Sequence, residues 1–393
     1  MYPRGSPDIG WDDLLFGLAA CVVPGAPWGN RATEAAFGPH SVACLSVRSG
    51  FDLTLQGLQL PRGGEVLVSA ATIPDMIAIL QQHGLQAIPL DLDMQRLALD
   101  PALVEAAITP RTCGLLVAHV FGARMPLDAL ADLARRYKLV LFEDAAQAFS
   151  GDGYCGHQGS DVAMFSFGPI KTATALGGGV LRFRDPTLLA RVRALQDAYP
   201  PQRRSEYLRR LLLFCGLKAL ARPALLGPLV AWCRLRGRDV DTVLSGAVRG
   251  FRGSDLLAKI RRQPSGPLLR MLARRLRRYD ADNLVRRAGY GRQILDGLPA
   301  AARPGIQAEP HTHWVLPVCS PDPERLTKLL RAWGYDATRS GSTMRVTPPP
   351  DGYPAATEAQ QVFDQIVYVP TYPILPPAAA ARLTAIITAH LRD

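Results

Sequence analysis

Apolar and polar positions alternate in two different ways along the first half of the chain. Short apolar runs, typical of buried strands, are separated by stretches with a helical period. This alternation predicts an α/β fold in which a mostly parallel sheet is covered by helices on both faces. The predicted strands are Ala43–Val47, Val66–Ala70, Gln86–Leu90, Gly114–Val120, Lys138–Phe142, Val162–Phe167 and Gly179–Phe183. The predicted helices are Ser49–Leu60, Ile73–His83, Pro101–Ala107, Leu127–Tyr137 and Asp185–Tyr199.

The two ends of the chain differ from this central pattern. Residues 1–40 are rich in Gly and Pro and are predicted to be irregular. After residue 300, apolar alternation returns together with two helical stretches, which predicts a small C-terminal α/β domain. We predict a large domain at 1–198, a basic helical insertion at 199–295 and the small domain at 296–393. The C-terminal strands are predicted at Thr312–Val318, Thr343–Val346 and Ile366–Val369, and the helices at Asp322–Trp333 and Ala378–Leu391.

Polar side chains with complementary chemistry stand near the ends of two predicted strands. The acidic pair Glu143–Asp144 closes the apolar run KLVLF, and Gln147 follows three residues later. Ser166 lies in the run VAMFSF, and Lys171 comes five residues after it. Pyridoxal phosphate needs a lysine for a Schiff base, an acid for its pyridine nitrogen and short donors for its phosphate. Because ligands of such sheets bind outside the carboxyl ends of the strands, the sequence predicts a pyridoxal phosphate site there.

The ordered motifs resemble those of the DegT/DnrJ/EryC1/StrS family of sugar aminotransferases. The family's E-D-A-A-Q-A motif stands at Glu143–Ala148, and its F-S-F-x-x-x-K motif stands at Phe165–Lys171, followed by the glycines of Gly177–Gly179. The resemblance is good over residues 30–198, weak over 199–300 and only general afterwards. It implies the fold-type I, aspartate aminotransferase-like architecture, and a homodimer whose active sites borrow residues from both chains.

The same resemblance implies a role for each polar residue. Lys171 would hold pyridoxal phosphate through a Schiff base and then move the proton during transamination. Asp144 would keep the pyridine nitrogen protonated, and Gln147 would contact the cofactor's O3′; their structural alternatives are a helix-capping carboxylate and a plain helix-face glutamine. The implied phosphate ligands are Ser166, Ser49 and Gly50, whose alternatives are a buried strand serine and an ordinary helix N-cap.

The chain departs from the family pattern around this site. Ile73 stands where the family usually has an aromatic ring stacked on the cofactor, and Phe51 replaces the threonine of a frequent S-G-T motif. His119 and Arg339 are candidates for substrate contact, with a satisfied structural histidine and a solvated loop arginine as the alternatives. The family's substrate-facing His/Tyr pattern is replaced by His311, His313 and Trp314.

Charge is distributed unevenly along the chain. Residues 201–292 contain 22 Lys and Arg against 6 Asp and Glu, a net of +16, whereas the whole chain carries +11, which leaves −5 for the rest. Three interpretations of the Arg-rich amphipathic helices within 203–278 stay open. They pack inside the molecule or on a dimer partner, they contact an anionic membrane surface, or they attract another partner such as a diphosphate. No nucleic-acid motif occurs, so nucleic acid is not expected.

Several functional classes are disfavoured by the sequence. Seven scattered cysteines without a C-x-x-C pair indicate reduced thiols, and no metal-ligand spacing, H-E-x-x-H or Walker A motif occurs, so no metal is expected. No long uninterrupted apolar stretch indicates a transmembrane span, and the first residues lack a signal pattern. We expect a cytoplasmic protein, with peripheral contact at the inner membrane surface as the alternative.

These observations together predict an aminotransferase of sugar biosynthesis. It would move an amino group from a donor such as glutamate to a keto substrate, for which a nucleotide-linked keto sugar is the first candidate. The alternatives are a lipid-associated ketone at the membrane surface and a non-catalytic sensor or scaffold of the same fold. Lys171 argues against the family's dehydratase branch, which has histidine in that place.

Overall fold

The computed structural model describes residue 2 and residues 7–23, 29–220, 255–339, 344–372 and 375–392. Its strands are β1 (Ser41–Cys44), β2 (Glu65–Ser69), β3 (Ala71–Thr72), β4 (Gln86–Leu90), β5 (Thr112–Ala118), β6 (Val140–Asp144), β7 (Val162–Ser166), β8 (Gly179–Phe183), β9 (Leu316–Cys319), β10 (Arg345–Val346) and β11 (Ile366–Val369). Its helices are α1 (Trp11–Val22), α2 (Gly29–Ala35), α3 (Val47–Leu58), α4 (Pro74–Gln82), α5 (Pro101–Ala106), α6 (Asp128–Arg136), α7 (Pro186–Asp197), α8 (Arg204–Leu220), α9 (Leu256–Ile260), α10 (Gly266–Arg277), α11 (Ala281–Asp296), α12 (Pro323–Ala332), α13 (Thr357–Gln365) and α14 (Pro377–His390).

A seven-stranded sheet with the order β1-β8-β7-β6-β5-β2-β4 forms the centre of the large body. Strands β4, β2, β5, β6 and β7 run parallel, and β8 is antiparallel to both β7 and β1. Neighbouring residues of one strand face opposite sides, so Leu115 and Leu141 pack into one core while Leu116 and Phe142 pack into another. The prediction of a mostly parallel, doubly covered sheet is confirmed. The predicted strands lie within two residues of the observed bounds, except that the first strand ends at Cys44 rather than at Val47.

The prediction that residues 1–40 are irregular is wrong. Helix α1 packs against α8 and α10, and Leu14 is fully buried among their apolar side chains. Gly17 allows this contact, because an added Cβ would lie 2.5 Å from Met271 and 2.7 Å from Leu211. The Gly and Pro content of the segment concealed a helix whose stability comes from tertiary packing.

Helices α8 and α10 of the basic segment pack on the large body. Tyr207 of α8 is buried and donates to the carbonyl of Ala175 at 2.7 Å. On α10, Arg274 and Arg275 bind the buried Asp13 of α1, at 2.7 Å and 2.5 Å. These contacts agree with the interpretation of an intramolecular insertion. The sequence of this segment also predicts a helical stretch at Ala224–Arg236, which lies outside the described residues.

The C-terminal part forms a second, smaller unit. Strands β9 and β11 pair antiparallel, and α12 and α14 pack on them with α11. Strand β10 instead pairs with β3 of the large body, with Arg345 opposite Thr72. The small α/β unit is confirmed, although its first strand begins at Leu316 rather than at Thr312. Among the described residues, every helix is too short or too polar to cross a bilayer.

Candidate active site

The register of the sheet brings the predicted polar residues to one edge. Cys44, Gly179 and Ser166 form one row across β1, β8 and β7, because Cys44 pairs with Gly179 and Gly179 pairs with Ser166. Asp144, the last residue of β6, pairs with Met164 of β7. This is the carboxyl edge of the parallel strands, where α/β proteins place their ligands.

Asp144 is a buried carboxylate with unused hydrogen-bonding capacity. Its Oδ1 accepts from the backbone N–H of Ala146 at 3.0 Å. Its Oδ2 has no donor among the described residues. Burial raises the pKa of Asp144, against the opposing effects of the Ala146 N–H and the positive charge of Lys171. A cationic N–H placed against Oδ2 would therefore be stabilised strongly.

Lys171 lies close enough to Asp144 for their charges to interact, yet no ion pair joins them in the part of the chain that the structure describes. Burial of the amine lowers the pKa of Lys171 to about 7, although Asp144 opposes this change; the charge of Arg48 lowers it further. The Nζ atom stands 4.0 Å from the ring centre of Trp314. Much of Lys171 is therefore an uncharged, nucleophilic amine near neutral pH.

The start of α3 provides the anion-binding end of the site. The N-cap is Ser46, whose Oγ accepts from the N–H of Ser49 at 3.1 Å and lies 2.9 Å from the Ser49 Oγ. The N–H groups of the first helical turn lack intrahelical partners, and the helix dipole favours an anion there. Gly179 lets the helix start approach β8, because an added Cβ would lie 2.7 Å from the N atom of Val47.

Helix α3 begins at Val47, two residues before the predicted start at Ser49. This shift changes the role of Gly50, because its N–H already donates to the Ser46 carbonyl at 3.0 Å. The predicted backbone donor at Gly50 is thus used inside the helix. Gly50 is needed for packing instead, since an added Cβ would lie 2.3 Å from Leu181.

Ser166 and Lys171 border the same point of the edge. A Cβ added at Gly168 would lie 3.7 Å from the Ser166 Oγ and 4.0 Å from the Lys171 Cγ, with nothing nearer. Arg48 interacts electrostatically with both Asp144 and Lys171, and its Nε donates to Asp75 at 2.5 Å. The helix start, the lysine and the carboxylate therefore surround one site.

The residues present fit pyridoxal phosphate. An amine with a lowered pKa, an acceptor oxygen without a donor and a helix N-terminus with Ser49 match the aldehyde, the pyridine nitrogen and the phosphate. The charges of Lys171 and Asp144 interact, although no ion pair joins the two side chains among the described residues. The groups that match the cofactor all belong to this chain, and they match it by their positions and their charges.

Gln147 and Ile73 lie beside this edge in different settings. The Gln147 Oε1 accepts from the Phe121 N–H at 3.0 Å, and its Nε2 lies 2.6 Å from the Met344 sulfur. Ile73 is the N-cap of α4, where it is half-buried and packs against the cores on both faces of the sheet. Ile73 can cover a cofactor by van der Waals contact but has no aromatic ring to stack.

The prediction that His119 contacts substrate is wrong. His119 is fully buried, its Nδ1 accepts from the Met125 N–H at 3.2 Å, and its Nε2 lies 3.1 Å from Glu143. Glu143 also accepts from Tyr154 and Ser160, and despite the opposing effect of burial these hydrogen bonds and His119 lower its pKa to about 2. His119 is therefore part of a satisfied polar network beneath the sheet edge.

For Arg339 the structure favours the alternative of a surface arginine, and its contact with substrate stays a prediction. Its Nη1 donates to Glu324 at 3.1 Å and its Nη2 to the Asp364 carbonyl at 2.6 Å, on the exposed surface of the small unit. Phe51, which was expected to cost the site a hydroxyl, is a core residue with its ring edge-on to Phe142 at 5.5 Å.

Sequence reasoning missed one residue of the site, Arg48, and one buried arginine that bonds to the residue after Lys171, Arg287. Arg48 precedes Ser49 directly, and a basic residue beside a predicted anion-binding helix start is the signal that could have found it. Arg287 of α11 lies on the buried face of its helix with Gly291 and Ile294. The available signal was a single charged residue, Arg287, at a helix position where the periodicity expects an apolar residue. The many other arginines of the segment hid that signal.

The sheet order, the helix start beneath Ser49 and the lysine after β7 define the fold-type I, aspartate aminotransferase-like class of pyridoxal phosphate enzymes. Comparison with known proteins narrows this class. Residues 33–216 match the model of the DegT/DnrJ/EryC1/StrS aminotransferase family. This match confirms the resemblance expected from the motifs at Glu143–Ala148 and Phe165–Lys171.

Individual relatives agree with this assignment. A stretch of 177 residues is 40% identical to the erythromycin biosynthesis sensory transduction protein EryC1 of Saccharopolyspora erythraea, and covers 43% of this chain and 48% of that protein. This chain thus matches about half of the length of that curated relative.

Solved structures extend the likeness over the whole chain. S. venezuelae DesV, in complex with a ketimine intermediate, has a TM-score of 0.69 at 22% identity, covering 100% of this chain and 99% of DesV. DesI, in the presence of its TDP-sugar product, has a TM-score of 0.68 at 19% identity, covering 98% of this chain and 91% of DesI. At such identities the likeness establishes the fold.

Proposed function

We propose that this protein is a pyridoxal phosphate-dependent aminotransferase that moves an amino group from a donor such as glutamate to a keto substrate. The observation that carries the proposal is the half-buried Lys171, with its pKa lowered to about 7, near the buried Asp144 at the carboxyl edge of the sheet. When bound, pyridoxal phosphate supplies an electron sink for the bond-breaking at the substrate's α-carbon.

Lys171 has the properties of a nucleophile and of a proton carrier. With a pKa of about 7, its Nζ exists in both protonation states at neutral pH. With the cofactor and an amino donor bound, Nζ would be the group that accepts a proton from the substrate's α-carbon and gives it back. The ring of Trp314 covers the amine, with its centre 4.0 Å from Nζ.

Asp144 and the start of α3 hold the cofactor at its two ends. The Oδ2 of Asp144 would accept from a protonated pyridine nitrogen and would keep the ring electron-poor. Ser49, Ser166 and the first N–H groups of α3 would bind the phosphate, and Arg48 would add positive charge there. Gln147 contacts O3′ if its amide turns away from Met344. Gly50 contributes through packing on Leu181.

A nucleotide-linked keto sugar is the proposed amino acceptor. The motifs resemble those of the sugar aminotransferases, and the fold is shared with DesI, whose structure was solved with its TDP-sugar product. Arg274 and Arg275 of the basic segment bind Asp13 of the same chain. These two arginines are therefore used inside the molecule and do not require a lipid-associated substrate.

A second candidate is a non-catalytic sensor that has kept the fold. The relative EryC1 carries the name of a sensory transduction protein, and Ile73 removes an aromatic contact with the cofactor. The two candidates make opposite predictions about turnover, whereas both allow cofactor binding.

The decisive experiment is a screen of amino donors and keto acceptors with purified protein, read by the mass of the aminated product. We expect turnover in the wild type and its loss in Lys171→Ala, together with the visible absorbance band of lysine-bound cofactor. The exposed Lys328→Ala is the matched control and should keep both. A protein that shows the band but aminates no acceptor would support the sensor instead.

We further propose a cytoplasmic homodimer whose basic segment is an intramolecular insertion. The resemblance supports the dimer, and the burial of Tyr207 and the pairing of Arg275 with Asp13 support the insertion. Sedimentation should give twice the mass of the chain. Flotation with anionic liposomes should leave the protein at the bottom of the gradient, and lipid-dependent flotation would favour contact with a membrane surface.

A further inference from the structure

Lys171 lies in the middle of a closed loop between β7 and β8. The Ala175 N–H donates to the Phe167 carbonyl at 3.1 Å, which closes the loop with Lys171 midway between the two residues. Inside the loop, the Lys171 N–H donates to the Gly168 carbonyl at 3.0 Å. The position of the lysine backbone therefore depends on where the closing residue, Ala175, is held.

The loop contains backbone conformations that residues other than glycine rarely adopt. Ala173 has a φ of 52° and Leu176 has a φ of 60°, both in the left-handed region. Residues with a side chain keep such conformations only where the surrounding structure holds them, and they are frequent at functional sites. The shape of this loop therefore depends on contacts from outside it.

Two side chains of α8 supply such contacts at the end of the loop. The hydroxyl of Tyr207 donates to the Ala175 carbonyl at 2.7 Å, and the Nη1 of Arg210 donates to the Leu176 carbonyl at 2.9 Å. Tyr207 is only 1% exposed, and Arg210 is half-buried. Hydrogen bonds that are shielded from water or that come from a charged donor are the stronger ones. Two successive carbonyls are thus fixed where the loop closes.

Other parts of the chain hold the loop nearer to the lysine. The Ala173 N–H donates to the Asp8 Oδ2 at 2.6 Å, and the Nε1 of Trp314 donates to the Ile170 carbonyl at 3.0 Å. The backbone is therefore bonded from outside on both sides of Lys171. The contacts of Tyr207 and Arg210 differ from these because they come from the basic segment, whose role the sequence left open.

We propose that Tyr207 and Arg210 are positioning residues for Lys171, which they hold in place through the closed loop. This inference rests on the proposed aminotransferase function and gives α8 of the basic segment a part in it. Both side chains act through the backbone of Ala175 and Leu176 rather than on the amine itself.

A positioning role can be told apart from a merely structural one by the titration of the amine. Burial lowers the pKa of Lys171, and Asp144 and Arg48 are the charged groups of the described residues that act on it. Replacing Tyr207 or Arg210 removes neither of these charges. A change in the titration of Lys171 would therefore report that the amine has moved to a place with different burial.

The test is the titration of the Lys171 amine in the cofactor-free protein, by competitive labelling with acetic anhydride over a series of pH values. Peptide mass mapping gives the midpoint, with the exposed Lys328 as the reference for labelling. We expect a wild-type midpoint near about 7. In Tyr207→Phe it should rise by at least about 0.5 pH unit, because the amine becomes more accessible to water. Arg210→Met should raise it further, and Arg210→Lys, which keeps a donor, should raise it less.

Tyr335→Phe is the matched control. Tyr335 is a fully buried tyrosine of the small unit, and its hydroxyl donates to the Ala379 carbonyl at 2.8 Å. Its replacement removes the same type of hydrogen bond elsewhere in the molecule. We expect Tyr335→Phe and Tyr207→Phe to lose similar thermal stability, but only Tyr207→Phe to shift the midpoint. An equal shift in Tyr335→Phe would assign the effect to general destabilisation and overturn the inference.

A second measurement needs no variant, in case these proteins do not fold. Amide hydrogen exchange of the wild type at increasing urea concentration should show residues 172–176 and α8 losing protection in the same opening step. Protection of the loop that outlasts that of α8 would overturn the inference. So would a wild-type midpoint near the ordinary lysine value of 10.5, or a midpoint that is unchanged in both Tyr207→Phe and Arg210→Met.

The outcomes also separate this inference from the proposed function, because the titration uses no cofactor. A wild type that never shows the band of lysine-bound cofactor, but whose midpoint shifts in both variants, would keep the positioning role and refute the aminotransferase. A wild type with the band and turnover, but with the same midpoint in both variants, would refute the positioning role alone.

Discussion

Two regions of this molecule bury charged side chains, and the pKa shifts in the two regions favour opposite forms of the side chains: the charged form in one and the neutral form in the other. Between α1 and α10, Asp13 accepts from both Arg274 and Arg275, and despite the opposing effect of burial these arginines lower the pKa of Asp13. At the edge of the sheet, burial dominates instead: it raises the pKa of Asp144 and lowers that of Lys171.

The difference separates charges that stabilise the fold from charges that are held for a ligand. Asp13 finds its counter-charges within the chain, so its ionised form is the stable one. Lys171 and Asp144 interact without touching, so each is destabilised in its charged form until something binds between them.

The largest expected effect is at Asp144. Asp144→Asn keeps the shape of the side chain but cannot hold a proton on the pyridine nitrogen, so we expect kcat to fall by about 10³-fold. Steady-state kinetics with the best donor and acceptor measure this loss. The exposed Asp132→Asn is the control and should leave kcat unchanged. Full activity in Asp144→Asn would remove the proposed role of this carboxylate.

Asp144→Asn should also change how the rate of cofactor capture depends on pH. The uncharged amine of Lys171 captures pyridoxal phosphate, so the capture rate of the cofactor-free protein should rise with pH and level off above about 7, the pKa of Lys171. Asp144 opposes the lowering of that pKa. Its loss should therefore move the midpoint of the capture profile to lower pH. A midpoint near the ordinary lysine value in the wild type would contradict the burial of this amine.

Loss of an arginine that pairs with Asp13, between α1 and α10, should change the stability of the protein rather than its catalysis. Arg275→Met leaves Asp13 buried with one of its two arginines, and we expect a loss of about 3 kcal/mol in the free energy of unfolding. Urea denaturation measures this, with the exposed Arg277→Met expected within about 0.5 kcal/mol of the wild type. Because the pKa of Asp13 is lowered from 3.8, its contribution is present above that pH and is lost as the pH falls through the folded value.

The smallest effect has the opposite sign. Lys171→Met removes a destabilised charge, so the cofactor-free variant should melt about 2–4 °C above the wild type. The pKa of Lys171 falls from 10.5 to about 7 on folding, so the wild type gains stability as the pH rises through that window. The difference between the two proteins should be largest at pH 7 and below and should shrink towards pH 10. A less stable Lys171→Met would show that the lysine is a satisfied structural residue.

Much of the fold was readable from the chain because its elements are strongly periodic. The runs around Phe142 and Ser166 have the β-branched and aromatic character of buried strands, and the acidic pair and the lysine stand at fixed distances from them. The carboxyl ends of the predicted strands mark the edge of the sheet where a ligand binds, and finding them does not require knowledge of the packing. Lys171 and Asp144 were accessible to sequence reasoning for that reason.

The remaining features depend on tertiary packing that no local pattern records. Helix α1 is stabilised by Leu211 and Met271, far along the chain. His119 faces Glu143 beneath the sheet edge rather than a pocket, and a strand-end position does not reveal that direction. Arg287 resembles its arginine neighbours in sequence, and only its burial beside Thr172 distinguishes it.

The central claim is that Lys171 is the residue that binds the cofactor covalently. Incubation with pyridoxal phosphate, reduction with borohydride and peptide mass mapping would trap the lysine that carries it. The account predicts one reduced pyridoxyl adduct, on Lys171, in the wild type and none at that peptide in Lys171→Ala. An adduct spread over surface lysines, or located on another single lysine, would contradict it.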